Sequence, residues 1–173
     1  MKLIALILVL MVSTASACRR TSIQQTGQPT LSPEQALTLR QTVMTYLECE
    51  ECEQGELEAV VKLGQTAVPT LSATLRDGPS QASRELLRRQ LSDTYRRLKE
   101  YEKTHPEAKV SQSEEEYVKT YLDNYIALYQ VRAATALGSI GGPEAKRALE
   151  EASNKPLRDD VKATIKHSLE NIK

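Results

Sequence analysis

One pattern of four residues occurs twice in this chain at a fixed distance. It joins two leucines, a glycine and a proline, and the second copy follows 74 residues after the first without a gap (137 − 63 = 74): Leu63, Gly64, Pro69 and Leu75 return as Leu137, Gly138, Pro143 and Leu149. A shorter match links Leu137 and Ile140 to Leu169 and Ile172, 32 residues later (169 − 137 = 32). A constant spacing close to this length is typical of stacked helical units.

Apolar residues follow helical spacing throughout the chain after residue 32. Ser32-Pro33-Glu34-Gln35 predicts a helix start, because serine can cap, proline fits the first turn and glutamine completes a capping box. Ser113 with Glu116 is a second capping box and predicts a long helix from Glu114 to about Ile140. Further helices are expected at about 57–63, 67–75, 80–104, 143–153 and 157–172. No run alternates as a strand does, so the predicted fold class is all-α.

The residues around the second copy also carry a family resemblance. The run Val131-Arg132-Ala133-Ala134-Thr135-Ala136-Leu137-Gly138-Ser139-Ile140-Gly141 resembles the first helix of a HEAT repeat of the phycobilisome-lyase-like type, and residues 58–71 are similar to another unit. In each unit, glycine is expected to end the first helix and proline to open the second. The resemblance implies a short HEAT-like α-solenoid of antiparallel helix pairs, with residues 80–130 as a longer two-helix insertion. It implies little about function.

The first 17 residues are expected to be an export signal. Lys2 supplies positive charge, residues 3–12 are uninterrupted apolar residues, and Ala15-Ser16-Ala17 offers a cleavage site. Ala15-Ser16-Ala17-Cys18 resembles the lipobox of bacterial lipoproteins, which implies that Cys18 is acylated. Acylation would also leave two other cysteines as an even pair. We therefore predict a signal peptide (1–17), a flexible tether (18–31) and a helical repeat domain (32–173), held at the periplasmic side or outer membrane by the anchor, or otherwise secreted.

Cys49 and Cys52 lie three residues apart, which leaves several kinds of chemistry open. Two such thiols can close a disulfide, act as a redox pair or supply half of a zinc site. After export, a structural disulfide is the interpretation we favour. A redox role would be expected on a thioredoxin-like unit, and zinc would need two further ligands that do not lie nearby in the sequence, so we predict no metal site.

Tyrosine is the chain's only aromatic residue type besides histidine, and four tyrosines recur at every fourth position: Tyr117, Tyr121, Tyr125 and Tyr129. This spacing places them along one slowly drifting face of the long helix. One interpretation is that they border the core with their hydroxyl groups toward solvent. The other, which we adopt as the site prediction, is a strip that binds a partner, because tyrosine is favoured at recognition surfaces.

Charge is balanced over the whole chain, with 23 basic and 23 acidic residues. Binding to nucleic acid usually shows as a basic excess, so it is not expected here. The predicted helix after residue 80 is locally basic, with seven cations (Arg84, Arg88, Arg89, Arg96, Arg97, Lys99, Lys103) against four acids (Glu85, Asp93, Glu100, Glu102), a balance of +3. Solvated surface is the default interpretation, and docking of an acidic partner or of anionic headgroups is the alternative.

No catalytic motif is found in the sequence, since it offers neither a nucleophile motif nor a phosphate-binding glycine loop. The predicted function is a non-enzymatic scaffold that binds an envelope protein through its helices, without a cofactor. Two alternatives stay open. One is an exported thiol-disulfide or metal-binding protein that uses Cys49 and Cys52. The other, which the family resemblance alone implies, is a HEAT-type phycobilin lyase.

Overall fold

The structure is a computed structural model that describes residues 31–49 and 54–172, and all regular structure in these residues is helical. The α-helices of these residues are α1 (Pro33–Glu48), α2 (Gln54–Leu63), α3 (Val68–Asp77), α4 (Gln81–Glu102), α5 (Glu114–Ile140), α6 (Gly142–Ser153) and α7 (Asp159–Asn171). The predicted all-α fold class is confirmed. Residues 1–30, with the predicted export signal, Cys18 and most of the tether, lie outside the described residues.

Both predicted capping boxes are present. The Ser32 hydroxyl accepts a hydrogen bond from the Gln35 N–H at 3.2 Å, and the Gln35 side chain accepts one from the Ser32 N–H at 2.9 Å. Ser113 and Glu116 make the same reciprocal pair at the start of α5. These bonds satisfy N–H groups that have no partner within the helix, which is why the two helix starts can be predicted from sequence.

Helix α5 is the centre of the fold, because each of the other six described α-helices packs against it. Its C-terminal half carries Ala133, Ala134 and Ala136, which are all fully buried. Such small side chains allow neighbouring helices to approach closely while the larger side chains of those neighbours fill the remaining space. Leu71 of α3, Leu149 of α6 and Ile165 of α7 are buried in this way within the same core.

The two copies of the repeated pattern form helix pairs that lie next to each other. The first pair is α2 and α3, joined by the 3₁₀ turn Gly64–Ala67, and the second is the end of α5 with α6. The turns of the two pairs meet where Gln65 Nε2 donates a hydrogen bond of 2.9 Å to the Gly141 carbonyl. Equivalent positions have equivalent burial: Val60 and Ala134, Leu71 and Ala145, Leu75 and Leu149.

The prediction that glycine ends the first helix of each unit is confirmed at Gly64 and at Gly141, three residues after the repeat position Gly138. Gly64 has φ +58° and follows the last residue of α2. Gly138 lies inside α5, which continues to Ile140 because Gly141, with φ +66°, is the residue that ends it. A Cβ atom on Gly138 would lie 2.7 Å from Cβ of Ser168, so this glycine permits the close approach of α7.

Helix α4 differs from the other helices in how little of it is covered. It packs mainly against α5 and the short 3₁₀ turn Pro106–Ala108. Leu91 is its single buried residue, whereas Leu86 and Tyr101 are about half exposed. The far end of the helix is held by Tyr95, whose hydroxyl donates a hydrogen bond of 2.8 Å to the Gln112 carbonyl.

Candidate binding surface

The four tyrosines of α5 lie at very different depths. Tyr117 and Tyr129 are buried, with 9% and 1% of their surface exposed, while Tyr121 is 48% exposed and Tyr125 is half-buried. The cause is the helical pitch: a step of four residues turns the side chain by about 40°, so three steps carry the row by about 120° around the helix. Its first member therefore meets α4 and its last member meets α1.

The tyrosine rings form two contacting pairs and not one continuous strip. Tyr117 packs against Tyr95 of α4 and against Tyr121, with ring centroids 5.5 and 4.6 Å away. Tyr125 and Tyr129 meet edge to face with centroids 4.9 Å apart. A partner that approaches from solvent would reach Tyr121 and the outer part of Tyr125, because the other two rings are covered by the protein.

A narrower apolar surface passes through the two accessible tyrosines. We call it the α5 seam and define it as Val118, Tyr121, Tyr125 and Leu128. These residues follow a spacing of three, four and three positions, which places them on one face of the helix. Leu128 is 42% exposed and Tyr121 is 48% exposed, whereas Val118 and Tyr125 are half-buried. Val118 and Tyr125 are thus held by packing, whereas Tyr121 and Leu128 face solvent.

A chain of hydrogen bonds joins the α5 seam to the end of α1. The hydroxyl groups of Tyr125 and Tyr129 lie 3.0 Å apart, and Tyr129 donates a hydrogen bond of 3.0 Å to Glu48 Oε1. Burial raises the pKa of the Tyr129 phenol strongly, and its hydrogen bonds with Tyr125 and Glu48 act in the same direction. The phenol therefore keeps its proton and acts as a donor that holds the exposed carboxylate of Glu48 in place.

Arg132 holds the same end of α1 through its backbone. Its Nη1 donates a hydrogen bond of 2.7 Å to the carbonyl of Leu47, one of the carbonyls that a helix C-terminus leaves without a helical partner. In return, Tyr46 Oη donates a bond of 3.3 Å to the Arg132 carbonyl. Burial raises the pKa of the Tyr46 phenol, and the charge of Arg132 offsets part of that rise. The last turn of α1 is therefore fixed to α5 by charge and hydrogen bonding.

Cys49 follows this last turn directly as the C-terminal cap residue of α1. Its Sγ atom lies 3.0 Å from the Tyr46 carbonyl oxygen and is partly buried. Cys52, together with Glu50, Glu51 and Glu53, lies outside the described residues. The disulfide between Cys49 and Cys52 stays a prediction.

The basic residues of α4 are largely engaged with acids of the same helix. Ion pairs join Arg88 to Glu85, Arg96 to Asp93, Lys99 to Glu102 and Lys103 to Glu100. Each pair is three residues apart, and all but the partly buried pair of Lys99 and Glu102 are exposed to solvent, so the exposed pairs contribute little to stability. Arg89 and Arg97 form no ion pair with any residue that the structure describes. The surface of α4 is therefore basic, but most of its charge is compensated locally.

A cleft of about 540 Å³ lies between the end of α5 and α7, and the sequence analysis did not single it out. Glycine and serine residues form most of its wall, with His167 and Asn171 at one side. Their side chains lie 3.1 Å apart. None of its lining residues is an acid, a lysine or an arginine, so the cleft carries no charge that would select a ligand.

Two searches of the described residues complete the description of the surface. No group of three or more His, Cys, Asp or Glu side chains there is arranged to hold a metal ion. Among the described helices, none combines the length and the apolar character that crossing a bilayer requires.

The sequence analysis missed Val118 and Leu128 of the α5 seam and the contact between Glu48 and Tyr129. Leu128 could have been found by its heptad distance from Tyr121, because residues seven apart lie on the same face of a helix. The contact between Glu48 and Tyr129 had no local signal, since the two residues are 81 positions apart in the sequence.

Comparisons with family models, with curated proteins and with solved structures find no match to this chain. The HEAT-like resemblance of the repeated units therefore rests on their sequence pattern alone.

Proposed function

We propose that this chain is a non-enzymatic scaffold of the bacterial cell envelope, built on HEAT-like helix pairs, that binds a partner protein through the α5 seam. The observation that carries the proposal is the exposure of Tyr121 and Leu128 on the helix that every other described helix packs against. Large apolar side chains on a rigid element are typical of recognition surfaces, since little conformational entropy is lost when a partner covers them.

The rigidity of the seam supports this role. Tyr125 is fixed by its contact with Tyr129, and Tyr121 rests on the buried ring of Tyr117. The backbone beneath them is the middle of a helix of 27 residues, which is capped at its start and carries most of its buried residues in its second half. A partner would therefore meet side chains that already hold their bound positions, which reduces the free-energy cost of association.

The arrangement of the helix pairs supports the HEAT-like part of the proposal. In a solenoid of this kind, the first helices of successive units pack side by side, and so do the second helices. Here α2 packs against α5 and α5 against α7, while α3 packs against α6. The hydrogen bond from Gln65 to the Gly141 carbonyl joins the two turns along one edge. Helix α4 and the first half of α5 form the proposed insertion.

In-cell crosslinking tests the proposed function. A photoreactive amino acid would replace Tyr121 in the full-length chain, and the envelope fraction of the bacterial host would be analysed for covalent adducts. The matched control carries the same amino acid at Tyr101, which is 51% exposed and lies on α4. We expect one discrete protein adduct at position 121 and none at position 101, because only the first position lies in the α5 seam.

Substitutions separate binding from folding in the same assay. Leu128→Ser should abolish the adduct formed from position 121 without changing helicity, because Leu128 is 42% exposed. Leu86→Ser removes a leucine of similar exposure from α4 and should leave the adduct unchanged. Adducts of equal yield at positions 121 and 101, or an adduct insensitive to Leu128→Ser, would contradict a binding role for the seam.

A further inference from the structure

The α5 seam has the spacing of a helix-packing surface. Its members are three, four and three residues apart, the same alternation that lines the contact face of two packed helices. Tyr121 and Leu128 are separated by seven residues, which corresponds to about 10 Å along the helix axis. An apolar stripe of this kind accepts the apolar stripe of another helix, whose side chains fit between its members.

The charge around the seam is acidic. From Glu114 to Val131, helix α5 carries four acids and one base, a balance of −3 (1 − 4 = −3). Glu48 and Glu114 are both exposed, and neither forms an ion pair with any residue in the described part of the chain. Asp123 is paired with Lys119, whereas Glu48 and Glu114 remain available to a cation of a partner.

One of these carboxylates is held in a fixed position. Glu48 Oε1 accepts the hydrogen bond of the buried Tyr129 phenol, which in turn contacts the hydroxyl of Tyr125 in the seam. At the other end, Glu114 precedes Tyr121 by seven residues and therefore lies on the same face of α5. Carboxylates accordingly flank the apolar stripe at both ends, on the side of α1 and at the start of α5.

We propose that the α5 seam binds a cationic amphipathic helix of the partner protein. The proposal rests on the proposed function and specifies the chemical character of the partner. Apolar side chains of the bound helix would cover Tyr121 and Leu128, while lysine or arginine side chains beside them would pair with Glu48 and Glu114. The basic surface of α4, with its balance of +3, selects against the same ligand, so the charge pattern of the domain directs a cationic helix to α5.

Two synthetic helical peptides test this proposal with the purified full-length protein. Both carry leucine and alanine on one face with alternating three- and four-residue spacing, and they differ only in whether the flanking positions are lysine or glutamate. Affinity would be measured by fluorescence anisotropy at low salt, and the bound surface by amide chemical shifts. We expect the lysine peptide to bind at least about tenfold more tightly and to shift the resonances of residues 118–128.

Matched variants measure separately how apolar contact and charge contribute to the affinity for the peptide. Leu128→Ser should weaken the lysine peptide about tenfold, whereas Leu86→Ser on α4 should not change its affinity. Glu48→Gln removes the charge but keeps a side chain that can accept from Tyr129, and it should weaken the lysine peptide about threefold without weakening the glutamate peptide. Raising the salt concentration should reduce the preference for lysine.

Three results would overturn the inference. The first is a glutamate peptide that binds as tightly as the lysine peptide or more tightly. The second is an affinity for the lysine peptide that neither Leu128→Ser nor Glu48→Gln changes. The third is a glutamate peptide that shifts the resonances of α4, which would place an acidic partner there instead. The crosslinking assay at Tyr121 is independent of these results: an adduct there together with a preference for glutamate would retain the binding role and discard the cationic partner.

Discussion

The buried phenol of Tyr129 on α5 donates a hydrogen bond of 3.0 Å to the exposed carboxylate of Glu48 at the end of α1. With Arg132 and Tyr46, this bond fixes the last turn of α1 beside the α5 seam. The chain brings together residues 81 positions apart to make it. Loss of this hydrogen bond should therefore lower the stability of the fold and change the position of Tyr125.

Replacement of Tyr129 by phenylalanine should lower the free energy of unfolding by about 1–2 kcal/mol. The ring and its packing are kept, but the hydrogen bond to a charged acceptor is lost and the Tyr125 hydroxyl loses its partner. Urea unfolding followed by circular dichroism measures the change. Tyr101→Phe is the control, because that side chain is 51% exposed, and it should change the stability by less than about 0.5 kcal/mol. Equal effects of the two variants would argue against the importance of this bond.

Stability should fall as the pH rises above about 10, the ordinary pKa of tyrosine. Burial raises the pKa of both Tyr46 and Tyr129 in the folded state, so the unfolded chain releases these protons at a lower pH than the folded one. The stabilising contribution is complete below the unfolded pKa and is lost as the pH rises toward the folded pKa. Urea midpoints between pH 9 and 11 should show this slope. The decrease of stability with pH should be less steep in Tyr129→Phe than in the wild type and unchanged in Tyr101→Phe. The same decrease in the wild type and both variants would refute the assignment of this pH dependence to Tyr129.

Gly138→Ala should destabilise the protein by about 1–3 kcal/mol, the usual range for overpacking. Alanine favours helix over glycine by up to about 1 kcal/mol, but the new Cβ would lie 2.7 Å from Cβ and 3.1 Å from Cα of Ser168, and that backbone cannot rotate away. Gly55→Ala in α2 is the control, because a Cβ there meets no atom within 4 Å. It should leave stability unchanged or raise it slightly. Thermal unfolding would measure both, and a stable Gly138→Ala protein would mean that α7 shifts freely.

Ser113→Ala should cost about 1 kcal/mol of stability, because it removes the N-terminal cap of α5. Hydrogen bonds from the Ser113 N–H and hydroxyl lower the pKa of Glu116 from its ordinary value of 4.5. The lowered pKa stabilises the fold at pH values above 4.5 and ceases to do so as the pH falls through the folded value. Chemical unfolding at pH 7 and pH 3 should show a smaller difference in Ser113→Ala than in the wild type. Ser111→Ala, just outside the cap, should behave as wild type, and a similar loss in that variant would contradict the capping role.

Intact mass spectrometry tests the predicted state of the three cysteines. The mature protein from a bacterial host would be measured without reduction, with and without an alkylating reagent. We expect the mass of a chain that begins at Cys18 with a diacylglyceryl group, and no alkylation, because Cys49 and Cys52 are expected to form a disulfide. An unmodified chain that begins at Cys18 would indicate a secreted protein and not an anchored one. Alkylation at Cys49 or Cys52 would revive the redox and metal-binding alternatives.

The sequence predicts those parts of the fold that depend on local chemistry. The bounds of α5 follow from the Ser113 and Glu116 capping box and from Gly141, all within a few residues of the helix ends. Gly138 shows where this reasoning fails. Its match to Gly64 in the repeat does not reveal its role, which is set by the close approach of Ser168 on α7.

The candidate surface was predicted only in part for the same reason. A four-residue spacing places Tyr117 and Tyr129 on α5, but it does not reveal which sides of that helix α4 and α1 cover. Burial at these two positions depends on Tyr95 and on Glu48, each contributed by a different helix. The exposed position of Leu128 also depends on where the neighbouring helices end.

The central place of α5 has a consequence for how the chain acquires its structure during synthesis. The ribosome makes α1 to α4 before α5, although α5 is the helix against which all four of them pack. Helix α4 has little cover until α5 is made, since α5 and a short turn supply most of its contacts. The nascent chain must therefore keep several apolar helix faces apart until most of its length has been made. A chaperone that holds unfolded chains would find its binding segments in those faces.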